Sequence, residues 1–549
     1  MQKRSLLALF LILTVLSFLT PRESSAASPK LIVQITIDQL RGDMLPRFKR
    51  RFGDKGFRYL MDSGVYYTNA HYLHANTFTA VGHATLATGG HAAQHGMAGN
   101  YWFNVETGQE VYCVEDDDHS LIGEKSKEHQ GTSPRNLLSS TFGDELVLAS
   151  GNTSRVFSVS IKDRGAIIPG GHAGKAFWYD KSSGQFVTST FYYKDYPEWV
   201  SEWNDAEPAT QYQGASWTLL HDQASYLYGS GDDRPFEGIP PFFDTTFPHT
   251  LPDEDSKSLY SLLRTTPYGD QLTLAFVKEL VRQEKLGQSK SPDVLAISFS
   301  ATDSIGHTFG PHSLEYEDNL LRLDITLAEL FAFLDQQVGL ANTLIVLSSD
   351  HGVGDAPEYM QEHGFAVARL SPKEVVRQVN TVFRARFERH TDIVLDFQTP
   401  SLYLNRDLIA QVGLDMEAAE QAVAQQLRTI PGIAQAVTRS DLLRNAIPDT
   451  PLMHRVQRSF HPGRSGNVVI VQEQYWFLHS QTQLAAMHGS PYAYDTHVPI
   501  IFAGGSIAPQ IVSRTVAPAD IAPTLSALLG ILPPSGSTGT PLAEVLHSK

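Results

Sequence analysis

Three short runs in this chain carry side chains that could hold metal ions. Asp38 follows an apolar run, Asp303 and His307 stand four residues apart, and Asp350-His351 closes a third run. Four residues make about one helical turn, so Asp303 and His307 would meet on one face. Adjacent residues leaving a strand point to opposite sides. Asp350 and His351 must therefore either reach one metal through a backbone turn or help bridge two metals about 4 Å apart. Carboxylate with imidazole suits Zn2+, and a chain whose only cysteine is Cys113 has no thiolate set for a structural zinc. One Asp after a strand is ordinarily a turn or a helix cap. Three such ends, two of them with His, point instead to a hydrolytic metal pair.

A second group could handle an anion. The segment Asn76-Thr77-Phe78-Thr79-Ala80-Val81-Gly82-His83-Ala84-Thr85 continues in small residues to Gly90. It reads as a helix N-terminus that an anion can approach closely, drawn by free N–H groups and the helix dipole. A hydroxyl held there against a metal can lose its proton and serve as nucleophile; the plain alternative is a threonine cap. Lys162 and Arg164 alternate along what reads as an extended run, pointing the same way to clamp the oxygens of a phosphoryl group or to form a solvated edge. Asn100, after Gly96-Met97-Ala98-Gly99, adds an amide donor.

These groups must be positioned by short apolar strands: Leu31 to Ile37, Arg155 to Ile161, Val294 to Phe299, Thr343 to Leu347 and Val498 to Phe502. Helical patterns lie between them, such as Tyr316 to Phe333, with apolar residues recurring at three and four. Near-continuous apolar strands alternating with helices predict an α/β fold, a doubly wound, mainly parallel sheet with helices on both faces. Two stretches break the rhythm and read as cap insertions. Residues from about 170 to 265 are rich in aromatics, Gly, Ser and Pro, and residues from about 360 to 470 hold a further unit with helices near 373–386 and 415–427. Burial in a core is the commoner role for tryptophans such as Trp178, Trp199, Trp203 and Trp217, against an apolar wall at the site entrance.

Composition bounds the partners. The 549 residues are 42% hydrophobic and 19% charged, which suits one large α/β domain and excludes disorder and multi-span membrane classes. Lys3 and Arg4 precede an apolar run of 14 residues, Leu6 to Leu19, shorter than the ~20 of a spanning helix. Pro21 and Ser24-Ser25-Ala26-Ala27 then complete a secretory signal peptide over 1–26, leaving 27–549 as a single domain. Its removal leaves 40 basic against 58 acidic side chains, net −18. Such a surface excludes nucleic acid as a dedicated partner, and no membrane contact is expected after signal cleavage.

The ordered set Asp38, Thr79, Asp303-x3-His307, Asp350-His351 and a late His-Gly resembles the alkaline phosphatase superfamily. Asn100 with Lys162-Asp163-Arg164 is similar, more narrowly, to its secreted, phosphate-irrepressible members that use threonine as nucleophile. The resemblance covers about 30–170, 290–355 and 465–549. It implies one zinc on Asp303, His307 and His488, a second zinc on Asp38, Asp350 and His351, Thr79 as nucleophile, and Asn100, Lys162 and Arg164 on phosphate oxygens. For the late ligand, Asp495-Thr496-His497 competes with His488-Gly489. The implied activity is that of a periplasmic or secreted di-zinc phosphomonoesterase, a monomer, acting on small phosphate monoesters through a phosphothreonine intermediate.

Other readings are weaker. A phosphodiesterase or nucleotide pyrophosphatase could share the scaffold but would lack the Lys-x-Arg element. A non-catalytic periplasmic metal- or phosphate-binding protein has no need of Thr79. A sulfatase is disfavoured because Phe460 stands where the nucleophile of Pro462-Gly463-Arg464 should be. His71, His74, His83, His91 and His95 are expected to be packed side chains rather than a third metal site. The acidic run after Cys113 should raise its pKa and leave it inert, and Asp116–Asp118 reads as a solvated face.

Overall fold

A computed structural model describes residues 28–123, 127–253, 256–388, 390–479 and 484–547. The expected signal peptide lies outside the described residues. Thirteen strands matter here, numbered in chain order: β1 (31–37), β2 (65–71), β3 (156–160), β4 (175–180), β5 (185–187), β6 (293–299), β7 (343–348), β8 (394–398), β9 (401–404), β10 (433–438), β11 (468–472), β12 (497–504) and β13 (510–512). Nine of them form one sheet in the order β13-β2-β12-β7-β1-β6-β3-β4-β5. The five central strands β7 to β4 run parallel, and only β12 and β5 oppose them. All five strands expected from apolar runs are present.

β1, LIVQITI, is buried along its whole length because both faces of the sheet are covered. On one face the helices 267–283 and 314–337 pack with the 199–263 segment, and Trp217 and Phe276 are fully buried there. On the other, helices 79–88, 142–149 and 521–529 close the core. The aromatic-rich stretch contributes β4 and β5 to the sheet itself before it turns onto the first face. Strands β8-β9-β11-β10 form a separate antiparallel sheet under helices 372–387 and 416–427, with a core of its own. No helix among the described residues is long and apolar enough to cross a membrane.

Register explains why the chemistry converges. Ile37 is level with Phe299, Thr36 with Ser348, and Ser298 with Ser160. The residues that follow therefore leave the sheet side by side, so that β7, β1, β6 and β3 deliver Asp350, Asp38, Asp303 and Lys162 in that spatial order at their carboxyl ends, where open α/β sheets carry their sites. Helix 79–88 lies against these ends through Gly82, where an added Cβ would stand 2.0 Å from the Asp350 carbonyl oxygen. Gly82 serves that backbone approach. Gly82→Ala is accordingly expected to destabilise the protein by about 1–3 kcal/mol in denaturant unfolding, and an unchanged midpoint would contradict this packing.

Candidate metal centre and nucleophile

Asp38, Asp350 and His351 are fully inaccessible to solvent, and Asp303 is 4% exposed. Three carboxylates this close and this dry need cations. Protein groups meet part of the need: the Lys162 ammonium donates to Asp38 Oδ2 at 2.6 Å and to Asp303 Oδ2 at 2.5 Å. Two buried oxygens, Asp38 Oδ1 and Asp350 Oδ2, accept no hydrogen bond. Both face His351, whose Nε2 lies 3.5 Å from the first and 3.3 Å from the second. Such unsatisfied oxygens beside an imidazole nitrogen fit a divalent cation.

On the other side of Lys162, helix 301–309 places His307 Nε2 at 3.2 Å from Asp303 Oδ1, as the four-residue spacing predicts. His488 Nε2 is 3.6 Å from the same oxygen. His497, the competing late histidine, stacks instead on His71 and bonds Thr68 O, away from these groups. The imidazoles of His307, His351 and His488 each turn Nδ1 to a backbone carbonyl, of Ala486, Gly352 and Thr77, at 2.7, 2.9 and 2.7 Å. Each thus keeps Nε2 free toward the carboxylates, the orientation of a metal ligand held from behind. Two ligand groups emerge, Asp38 with Asp350 and His351, and Asp303 with His351 and His488, with His307 beside the second. The Asp350-His351 backbone does turn: the His351 N–H donates to Asp350 Oδ1 at 3.1 Å.

The electrostatics follow the burial. Burial, and next the Asp38 charge, push the Asp350 carboxyl well above the carboxylate range. Burial pushes Asp303 up too, but His307 and Lys162 outweigh it and hold that carboxyl well below the range. Burial pulls His351 down to about 4, so its Nε2 carries a lone pair.

Thr79 is the first residue of helix 79–88, with Oγ1 at 3.4 Å from His351 Nε2. The helix has no side-chain cap of its own from Phe78; Asn100 Oδ1 accepts the Ala80 N–H at 3.0 Å, which ties the Asn100 amide to the residue after Thr79. Lys162 is extended, but Asp163 and Arg164 already belong to helix 163–170, which corrects the reading of this segment as an extended run. The two cations still line one cavity, and Arg164 reaches Tyr112 Oη at 3.4 Å.

Several participants have no sequence signal. Gln39 adopts φ +70° and donates through Nε2 to Asp303 Oδ1 at 3.0 Å. His83 Nε2 lies 3.7 Å from Asp350 Oδ2, which makes it the one member of the early histidine set at the centre. Ser459 Oγ accepts the Ala75 and Asn76 N–H groups at 2.7 and 3.2 Å, fixing the loop that leads to Thr79. His74, His91 and His95 are buried and belong to no ligand group among the described residues. Burial, not the acidic run, is the largest cause of the raised Cys113 pKa. Asp116 and Asp118 share Arg135 at 2.9 Å each. Trp178 lines the cavity beside Arg164, whereas Trp199, Trp203 and Trp217 pack in the core.

A profile of the family "Type I phosphodiesterase / nucleotide pyrophosphatase" matches residues 32–491. Alkaline phosphatase PafA of Elizabethkingia meningoseptica is 34% identical over 97% of this chain and 98% of its own, and alkaline phosphatase PhoV of Synechococcus elongatus is 36% identical over 95% and 94%. A Myroides odoratus protein named a calcium-transporting ATPase is 34% identical over 97% of both chains. A crystal structure of alkaline phosphatase PafA matches with a TM-score of 0.89 at 34% identity, covering 95% of this chain and 99% of that one.

Because the clustered carboxylates favour a bound cation, dialysis against a chelator should lower the thermal midpoint by several degrees and Zn2+ should restore it. An unchanged midpoint would contradict the site. Gln39→Ala should weaken metal affinity about 10- to 100-fold in competitive titration; unchanged affinity would remove Gln39 from its positioning role.

Proposed function

From the premise that this chain belongs to the type I phosphodiesterase/nucleotide pyrophosphatase family of the alkaline phosphatase superfamily, and is a metal-dependent phosphoric monoester hydrolase, we propose that it works through Thr79 with two Zn2+. The observation that carries this reading is the pair of ligand groups sharing His351 next to the Thr79 hydroxyl. Asp38, Asp350 and His351 would hold one ion, and Asp303, His307 and His488 the other. Bound there, the ions supply Lewis acidity for the attacking and leaving oxygens and lower the pKa of the Thr79 hydroxyl and of water.

The chain's own residues do the rest. Thr79 Oγ1 attacks phosphorus in line, forming the Oγ1–P bond as the P–O bond to the leaving alcohol breaks. Water then cleaves the phosphothreonine, releasing inorganic phosphate and restoring the hydroxyl. Asn100, Lys162 and Arg164 bind the non-bridging oxygens, where a loose phosphoryl transition state leaves its charge. A monoester dianion carries more charge there than a diester, so these cations favour monoesters. The substrates are small phosphate esters, and a leader such as residues 1–26 would take the enzyme to the periplasm or outside the cell.

Thr79→Ala should reduce turnover of p-nitrophenyl phosphate by about a thousandfold or more with zinc content unchanged. Retained turnover would remove Thr79 from its role. Arg164→Ala should lower kcat/KM for p-nitrophenyl phosphate about 10- to 100-fold and for bis-p-nitrophenyl phosphate much less. Equal losses on both would contradict the monoester clamp, and a wild-type preference for the bis-ester would favour the phosphodiesterase reading.

A further inference from the structure

The cavity that Lys162 and Arg164 line extends beyond them. Five cationic side chains and three carboxylates line it, an excess of positive charge in a chain of net −16. Two of the cations, Lys181 and Arg264, come from the aromatic-rich insertion: Lys181 directly follows β4, and Arg264 directly follows the helix 256–263. Neither makes a hydrogen bond or salt bridge to another described residue. The Nε atoms of both Arg164 and Arg264 are buried without a hydrogen-bond partner.

The carboxylates of the cavity have partners other than Lys181 and Arg264: Glu128 lies 3.4 Å from His129, and Asp163 lies 4.0 Å from Arg164. Asp163 accepts from Tyr112 Oη at 2.6 Å and from the Gly131 N–H at 3.0 Å, and Asp180 accepts from the Ser182 and Ser183 hydroxyls at 2.7 Å each. Lys181 and Arg264 have no such partner among the described residues and bear on each other. Burial, and next the Arg164 charge, pull the Arg264 guanidinium below its ordinary value, while the Arg264 charge and then burial pull Lys181 down. Asp163 and Asp303 act on Arg264 in the opposite sense. Lys162, Arg164, Lys181 and Arg264 line the same cavity, so the part of a substrate that extends into it from a phosphoryl group held by Lys162 and Arg164 meets Arg264 and Lys181. A partly buried guanidinium with unmet donors, held among like charges, is a site for an anion.

We propose that Arg264 and Lys181 form a second anion subsite that recognises a negatively charged group, carboxylate or phosphate, on the leaving group of the substrate. This rests on the phosphomonoesterase reading and deepens it. A substrate whose alcohol carries its own anion would be held at both ends, by Lys162 and Arg164 at the reacting phosphoryl group and by Arg264 and Lys181 at the other. The insertion thereby sets specificity without touching the reacting atoms.

The test compares 4-carboxyphenyl phosphate with 4-carbamoylphenyl phosphate, which differ in charge and little in leaving-group strength. Wild-type kcat/KM should favour the carboxylate about tenfold or more, and Arg264→Gln should bring the ratio near one, with Lys181→Ala lowering it partway and Arg264→Lys retaining part of it. The readout is the ratio, so a general loss of activity does not imitate it. No wild-type preference, or equal losses on both esters in Arg264→Gln, would overturn the proposal. If neither ester is turned over, the phosphomonoesterase reading falls, and calorimetry tests the subsite directly with 4-carboxybenzylphosphonate and benzylphosphonate. Tighter binding of the carboxylate that Arg264→Gln abolishes supports the subsite, and equal binding overturns it.

Discussion

The structure is organised around three buried carboxylates that only cations can make affordable. Asp38, Asp303 and Asp350 leave adjacent parallel strands at one edge of the sheet, and in a dry site their charges repel one another. The fold answers it in layers. The Lys162 ammonium bridges two of the acids, three imidazoles turn their Nε2 atoms toward them, and two oxygens are left for metal. A metal held at such a site could activate a hydroxyl, and helix 79–88 is brought in on Gly82 until Thr79 is within 3.4 Å of His351.

Lys162 has two faces in this arrangement. It lies against Asp38 and Asp303 and also lines the cavity of Arg164. Its charge therefore bears both on those carboxylates and on the cavity, whose positive character continues from it through Arg164 to Arg264. The two stretches that break the strand–helix rhythm both reach this region. One supplies Lys181, Arg264 and Trp178 to the cavity, and the other supplies Ser459, which holds the loop before Thr79.

Much of this is legible in the sequence because it is local. A buried parallel strand must be apolar along its length, so β1, β6 and β7 stand out, and whatever polar residue follows them is at a strand end. The spacing of Asp303 and His307 fixes their meeting on one turn. The choice of His488 over His497 rests on a family pattern, and the structure puts His488 rather than His497 beside Asp303. What stays hidden depends on tertiary placement. Gln39 acts through a left-handed backbone that no residue type announces, and Ser459 acts across 384 positions of chain. Lys162-Asp163-Arg164 reads as extended because its first residue is extended, while the helix begins at the next. The role of Gly82 lies in a contact with the Asp350 backbone that composition cannot foresee.

The most direct test is a crystal of the zinc-loaded protein measured at the zinc absorption edge. The account predicts two anomalous peaks, one within about 2.0–2.2 Å of Asp303, His307 and His488 and one equally close to Asp38, Asp350 and His351, with Thr79 facing them. A single peak, or peaks away from these six side chains, would contradict it.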